Sequence, residues 1–208
     1  MKHTLLGAAS ALFLFSGAAF AADQPGHESP RPGTNSETMS AVEDATAGMV
    51  GRISAEMTTT TKGFVEAAAI SDMYEVQAGR IAQERGQSAG VKEFGAMMEK
   101  AHTGTSAKLK AILASGNANV TPPAHVDDRR QGMLDNLRGS TAADFDHRYL
   151  TQQIAAHKEA QILLRGYAKD GDNKAIRQFA AEILPDVGKH LAHAQKLDAE
   201  RQKSASAR

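Results

Sequence analysis

Four apolar stripes recur at helical spacing between residues 62 and 200, and no segment there alternates with the two-residue period of a strand. An α-helix turns about 100° per residue, so residues three, four and seven apart share a face. The first stripe, on a segment from about Thr61 to Arg85, aligns Phe64, Ala68, Ser71, Ala78 and Ala82, and Gly86 stops it. The second begins at a Ser88 cap, aligns Val91, Phe94, Met98, Thr105, Leu109 and Leu113, and ends near Ser115-Gly116. The third aligns Phe145, Tyr149, Ala156, Ala160, Leu163 and Tyr167. Ser140 or Thr141 caps it, with Asp144 as the capping-box partner of Thr141, and Gly171 stops it. The fourth, with Asp172 as its expected cap, aligns Ile176, Ala180, Ile183, Val187, Leu191 and Ala194, and Pro185 should bend it. A short helix from Asp127 to about Arg138 bridges the second and third. Long amphipathic helices joined by mostly short links predict an all-α, antiparallel four-helix bundle over residues 62–200, with a disordered tail over 201–208.

The chain has no cysteine, so disulfides, thiolate catalysis and thiolate metal sites are all excluded. It has no Trp either, and aromatics are only 5% of residues, so the core must be built from Leu, Ile, Val, Met and Ala. At the start, Lys2 precedes an apolar run from Leu5 to Phe20 and the small-x-small pattern Ala19-Phe20-Ala21. That is the layout of a secretory signal peptide over residues 1–22, too short for a comfortable membrane span. Export is therefore expected, to a Gram-negative periplasm first and to the medium as the alternative. Residues 23–61 read as a disordered tether, rich in proline at its start. Within it Met39, Val42, Met49, Ile53 and Met57 mark a weak amphipathic helix at about 39–57, interrupted by Gly48 and Gly51. The 24 basic and 24 acidic residues balance with no basic patch, which removes the footprint of a nucleic-acid binder. No segment after the signal is apolar enough to span a bilayer, and a protein partner or a homo-oligomer stays open.

Ionisable groups interrupt the stripes at similar heights. Glu75 lies in the middle of the first, His102 within the second and His190 within the fourth, while His157 flanks the third beside Gln153. A carboxylate or imidazole on a dry face is costly without a partner. Imidazole and carboxylate are also what a cysteine-free protein has for a transition metal, and facing helices of a bundle are where such sites are built. Glu75, His102, His157 and His190 are therefore the candidate ligands of one ion, with Zn, Cu, Ni and Fe all admissible. Glu99, three residues before His102 and at the stripe border, Asp186 at the edge of the fourth stripe, and Tyr149 stand in second rank. The alternative is a buried Glu–His network that fixes helix register in a structural or interaction module of the cell envelope. No phosphate loop, serine-nucleophile motif or His-Glu-x-x-His pattern is present, so no catalytic residue is assigned. Met39, Met49 and Met57 read as packing residues before copper ligands.

The blocks "FVEAAAISDMYEVQAGRIAQERG", "VKEFGAMMEKAH", "DFDHRYLTQQIAAHKEAQILLRGYA" and "FAAEILPDVGKHLAHAQKL" follow in the order seen in a bacterial family, domain of unknown function 4142, which the chain resembles from about Gly63 to Leu197. The resemblance implies a ferritin-like bundle and an exported protein. It brings forward Glu75, His102, Tyr149, His157, His190 and Pro185 as matching positions. It does not imply a di-iron reaction. Ferritin-like di-iron proteins take a Glu from each of two helices and a Glu-x-x-His from each of the other two. Here Glu99 and His102 form one such pair, but Val187 stands three before His190 and breaks the second. A single ion held by two or three His and one Glu fits better, in a periplasmic protein of metal homeostasis or envelope stress.

Overall fold

A computed structural model describes residues 37–116 and 118–207, so the signal segment and the tether up to residue 36 lie outside the described residues. The described chain is all-helical: α1 Glu37–Glu56, α2 Thr61–Arg85, α3 Ala89–Ala114, α4 Asp128–Gly139, α5 Ala142–Asp170 and α6 Lys174–Ser206. None of these helices is long and apolar enough to cross a membrane.

Side-chain caps set most of the boundaries. Thr60, Ser88, Asp127 and Thr141 each accept a hydrogen bond from the backbone N–H three residues on. The expected capping box of Thr141 and Asp144 is only half made: the Thr141 hydroxyl donates to the Asp144 carboxylate at 2.6 Å, while the Thr141 N–H goes to Glu37 Oε1. The cap of α6 is Asn173 and not Asp172: its side-chain oxygen accepts from the N–H groups of Ala175 and Ile176. Asp172 is engaged instead by the hydroxyls of Thr61 and Tyr167, which ties the start of α2 to the end of α5. Helix α6 also runs past the expected end at residue 200, because Asp198 pairs along the helix with Arg201 and Gln202.

Contacts fix how the long helices run past one another. Thr61 of α2 meets Tyr167 of α5, while the N–H groups of Gln87 and Ser88, just beyond α2, meet Asp146 near the start of α5. Likewise α3 and α6 meet at Lys108 with Glu182 and at Phe94 with His193. Each pair therefore runs in opposite directions. The helices α2 and α3 cross so closely that a Cβ on Gly79 would sit 2.5 Å from the Gly95 carbonyl oxygen, and one on Gly95 would sit 2.7 Å from that of Gly79.

The apolar core is in two parts. One is built on Tyr74, Phe94, Met98, Phe145 and Tyr149, the other on Phe64, Leu109, Leu163, Tyr167, Ile176 and Phe179. On α3 the two parts are separated by His102, and on α5 by His157, so a polar layer crosses the interior at mid-height.

Helix α1 lies against α5 and α4 the opposite way round from its sequence pattern. Its buried face is Ser40, Asp44, Gly48, Gly51 and Ala55. The apolar set Met39, Val42, Met49, Ile53 and Met57 is more than half exposed throughout. The reason is charge: Asp44 is buried where Arg148 Nη1, Asn136 Nδ2 and Gln152 Nε2 reach it at 3.0, 3.0 and 2.8 Å. Glu37 adds a second ion pair to Arg148. The small residues Gly48 and Gly51 let α1 approach Ala155 and the Arg129–Glu159 pair.

Candidate metal centre

His102, His157 and His190 converge in the polar layer from three different helices. One ring nitrogen of each lies within 4.8 Å of the other two. The ring centroids are 5.5–5.8 Å apart. His102 and His157 are buried, and His190 is half-buried on the α6 side.

The remaining hydrogen bonds orient the rings. His102 Nδ1 donates to Asp72 Oδ1 at 2.7 Å, and that carboxylate also accepts from the Ser106 hydroxyl. His157 Nδ1 donates to the Gln153 carbonyl at 2.9 Å, one turn back on α5. Both rings thereby direct Nε2 away from their own supports. His102 Nε2, His157 Nε2 and His190 Nδ1 are all buried with no hydrogen-bond partner. Buried polar atoms are nearly always satisfied, so three unsatisfied imidazole nitrogens in one place call for a physical explanation.

Glu75 is buried next to the cluster but not within it. Its Oε2 accepts from Gln153 Nε2 at 2.7 Å, and its Oε1 lies 3.8 Å from His157 Nδ1, on the supported edge of that ring. Burial raises its pKa, against the lowering pull of His102 and the Gln153 hydrogen bond. Burial drives His157 down to about 3, with the His102 charge adding to it, and drives His190 down to about 4. Desolvation works in the same sense on His102 but is outweighed by the Asp72 hydrogen bond and by the charges of Glu75 and Asp72, so His102 is raised. Two rings are thus held neutral, as a metal requires, and the third sits against a carboxylate as in many carboxylate–histidine–metal arrangements.

The second-rank residues stand elsewhere. Glu99 turns away from the core to Arg80 at 2.7 Å and Gln83 at 2.8 Å, so the Glu-x-x-His spacing with His102 does not become a shared site. Asp186 is exposed and paired with Lys189. Tyr149 is buried in the aromatic layer of Phe94 and Phe145, its hydroxyl unpartnered and its pKa pushed well above its ordinary value by burial. The residue that sequence reasoning passed over is Asp72. Its one signal was its place three residues before Glu75 on α2, one turn away on nearly the same face.

A cavity of ≈ 220 Å³ between α3 and α6 reaches the cluster from solvent. Its walls include His102, His190 and Thr105, together with the exposed Lys108, Glu182 and Asp186. The family model described as "Domain of unknown function (DUF4142)" aligns with residues 49–197, which contain all three histidines, Asp72 and Glu75. No curated protein and no solved structure matches the chain.

Proposed function

The chain belongs to the family defined as domain of unknown function 4142, and from the centre it carries we propose that it is an exported protein that binds one transition-metal ion through His102, His157 and His190. The observation that carries this reading is that three clustered imidazoles each keep one buried nitrogen without a hydrogen-bond partner. Neutral imidazole suits Zn, Cu, Ni and Fe, and a tetrahedral ion with its usual bond lengths would draw the nitrogens to about 3.4 Å, a matter of small side-chain rotations. Asp72 holds His102 from behind, and Glu75 supplies a buried negative charge that offsets that of the ion. The Lys2 and Leu5–Phe20 segment with its Ala19-Phe20-Ala21 site supports export, and the periplasm is the compartment proposed, with a role in envelope metal homeostasis and stress.

A second reading has its own observation. The Asp72–His102 pair and the Gln153–Glu75 hydrogen bond form a buried network that is electrostatically coherent with His102 protonated. In that reading the layer sets helix register in a structural or interaction module of the envelope. It leaves the nitrogens of His157 and His190 unexplained.

Titration of the chelator-treated protein with Zn(II) by calorimetry, repeated on His157→Ala and His190→Ala, separates the two. About one ion per chain in the wild type, and affinity lost in both variants with helicity retained by circular dichroism, is the expected result. No binding in the wild type, together with destabilised variants, would return the layer to a purely structural role.

A further inference from the structure

The three histidines leave a four-coordinate ion one ligand short, and the surrounding groups decide what supplies it. Glu75 is the nearest carboxylate, yet Gln153 holds one of its oxygens and the other lies along the Nδ1 edge of His157, away from the unpartnered Nε2. Asp72 is taken by His102 and Ser106. Asp186 is held outside by Lys189, and Glu99 by Arg80 and Gln83. No carboxylate of the polar layer is therefore free to turn to the ion without giving up a short hydrogen bond. The side of the cluster that protein does not close is the one where His102 and His190 form the floor of the cavity between α3 and α6.

Resting on the three-histidine reading, we infer that the ion keeps its fourth position open to this cavity and takes there a small exogenous monoanion or the water it displaces. Three neutral ligands leave the full charge of a divalent ion on the metal, which favours an anion over a neutral donor. The cavity volume sets the size class: at about 30 Å³ per water molecule it holds about seven waters, room for a small anion with its hydration but not for a large organic substrate. Lys108 and Glu182 line the cavity as an ion pair at 2.7 Å, and Asp186, also in its lining, is paired with Lys189. A structural ion would have all its positions filled by protein, whereas an open one is the arrangement of sites that bind or activate an exogenous ligand.

The test uses the full mature chain loaded with Co(II), whose visible ligand-field bands report coordination, and sodium azide as the probe anion. The bands are expected to shift saturably with azide in the wild type. In Thr105→Phe, which fills the cavity from α3 and keeps all three imidazoles at the loss of one hydroxyl hydrogen bond to the His102 carbonyl, cobalt should still bind and azide should bind at least tenfold more weakly. Bands that form but ignore azide would overturn the open position while leaving the three-histidine site intact. An equal azide response in wild type and Thr105→Phe would overturn the cavity as its route. No cobalt uptake, with helicity retained, would overturn the three-histidine reading itself and this inference with it.

Discussion

Asp72 decides which nitrogen of His102 is available. Its carboxylate accepts from Nδ1 at 2.7 Å, so in the neutral ring the lone pair is on Nε2, which is buried and has no hydrogen-bond partner. Asp72→Asn keeps an acceptor oxygen but removes the charge that makes the ring more basic and holds it against an ion. Zinc affinity measured by calorimetry is expected to fall about 10- to 100-fold, with the thermal midpoint nearly unchanged. His157 provides the pH dependence. It is faced by Glu75 from α2, His102 from α3, Arg130 from α4 and His190 from α6. The unfolded chain takes a proton at this ring near its ordinary 6.5, whereas the native ring takes one only near about 3. Acid therefore favours the unfolded state throughout that window, and the contribution present above 6.5 is lost as pH falls. His102 and Glu75, both raised, shift the other way. The clean measurement is therefore a difference. In chelator, the stability of His157→Gln relative to wild type should improve by about 2–3 kcal/mol between pH 7 and pH 4.5, read from urea unfolding. The convergence of His102, His157 and His190 was visible on helical wheels, because mid-helix positions near a stripe end up together once the stripes pack. Glu99 was not decidable there. A border position can turn either way, and Arg80 and Gln83 on the neighbouring helix, invisible to a wheel, took it outward.

Two elements show how little side-chain hydrophobicity alone says about docking. Helix α1 has an apolar pattern, yet it is held by Asp44 against Arg148, Asn136 and Gln152, with its apolar side outward. Periodicity identifies that a helix has two faces, but a buried ion pair chose between them, and its partners lie about a hundred residues away. Burial raises the Asp44 pKa against the pull of these partners, so desolvation is a real cost at this contact. Removing one partner leaves the other buried and alone. Arg148→Ala should cost about 3–5 kcal/mol in urea unfolding, while the apolar double replacement Asp44→Leu with Arg148→Met should cost clearly less. The α2–α3 crossing is limited by backbone. Gly79 and Gly95 each stand where a Cβ would press into the other's carbonyl oxygen, and neither carbonyl can move without parting the helices. Gly79→Ala is expected to destabilise by about 1–3 kcal/mol despite alanine's better helix propensity, and to weaken zinc binding, because Asp72 and His102 lie on the two helices it separates.

Across the whole molecule, the polar layer divides the Phe94–Tyr149 part of the apolar core from the Phe64–Tyr167 part. An all-apolar layer would fold at least as well, since a buried imidazole with one nitrogen unpartnered costs what its desolvation does not recover. The layer therefore makes sense as a place for something that binds only the folded state. Linkage gives the size of the effect: with free zinc at a hundred times its dissociation constant, the native state gains about 2.7 kcal/mol. In a chain of this length that raises the thermal midpoint by roughly 5–10 °C, and a chelator should reverse it. His157→Leu separates binding from folding. The leucine removes the unpartnered nitrogen and one donor together, so the metal-free variant should melt at or above the metal-free wild type and show no rise with zinc. If the layer served only to set register, the same variant would instead melt well below the wild type, and zinc would leave both midpoints where they were.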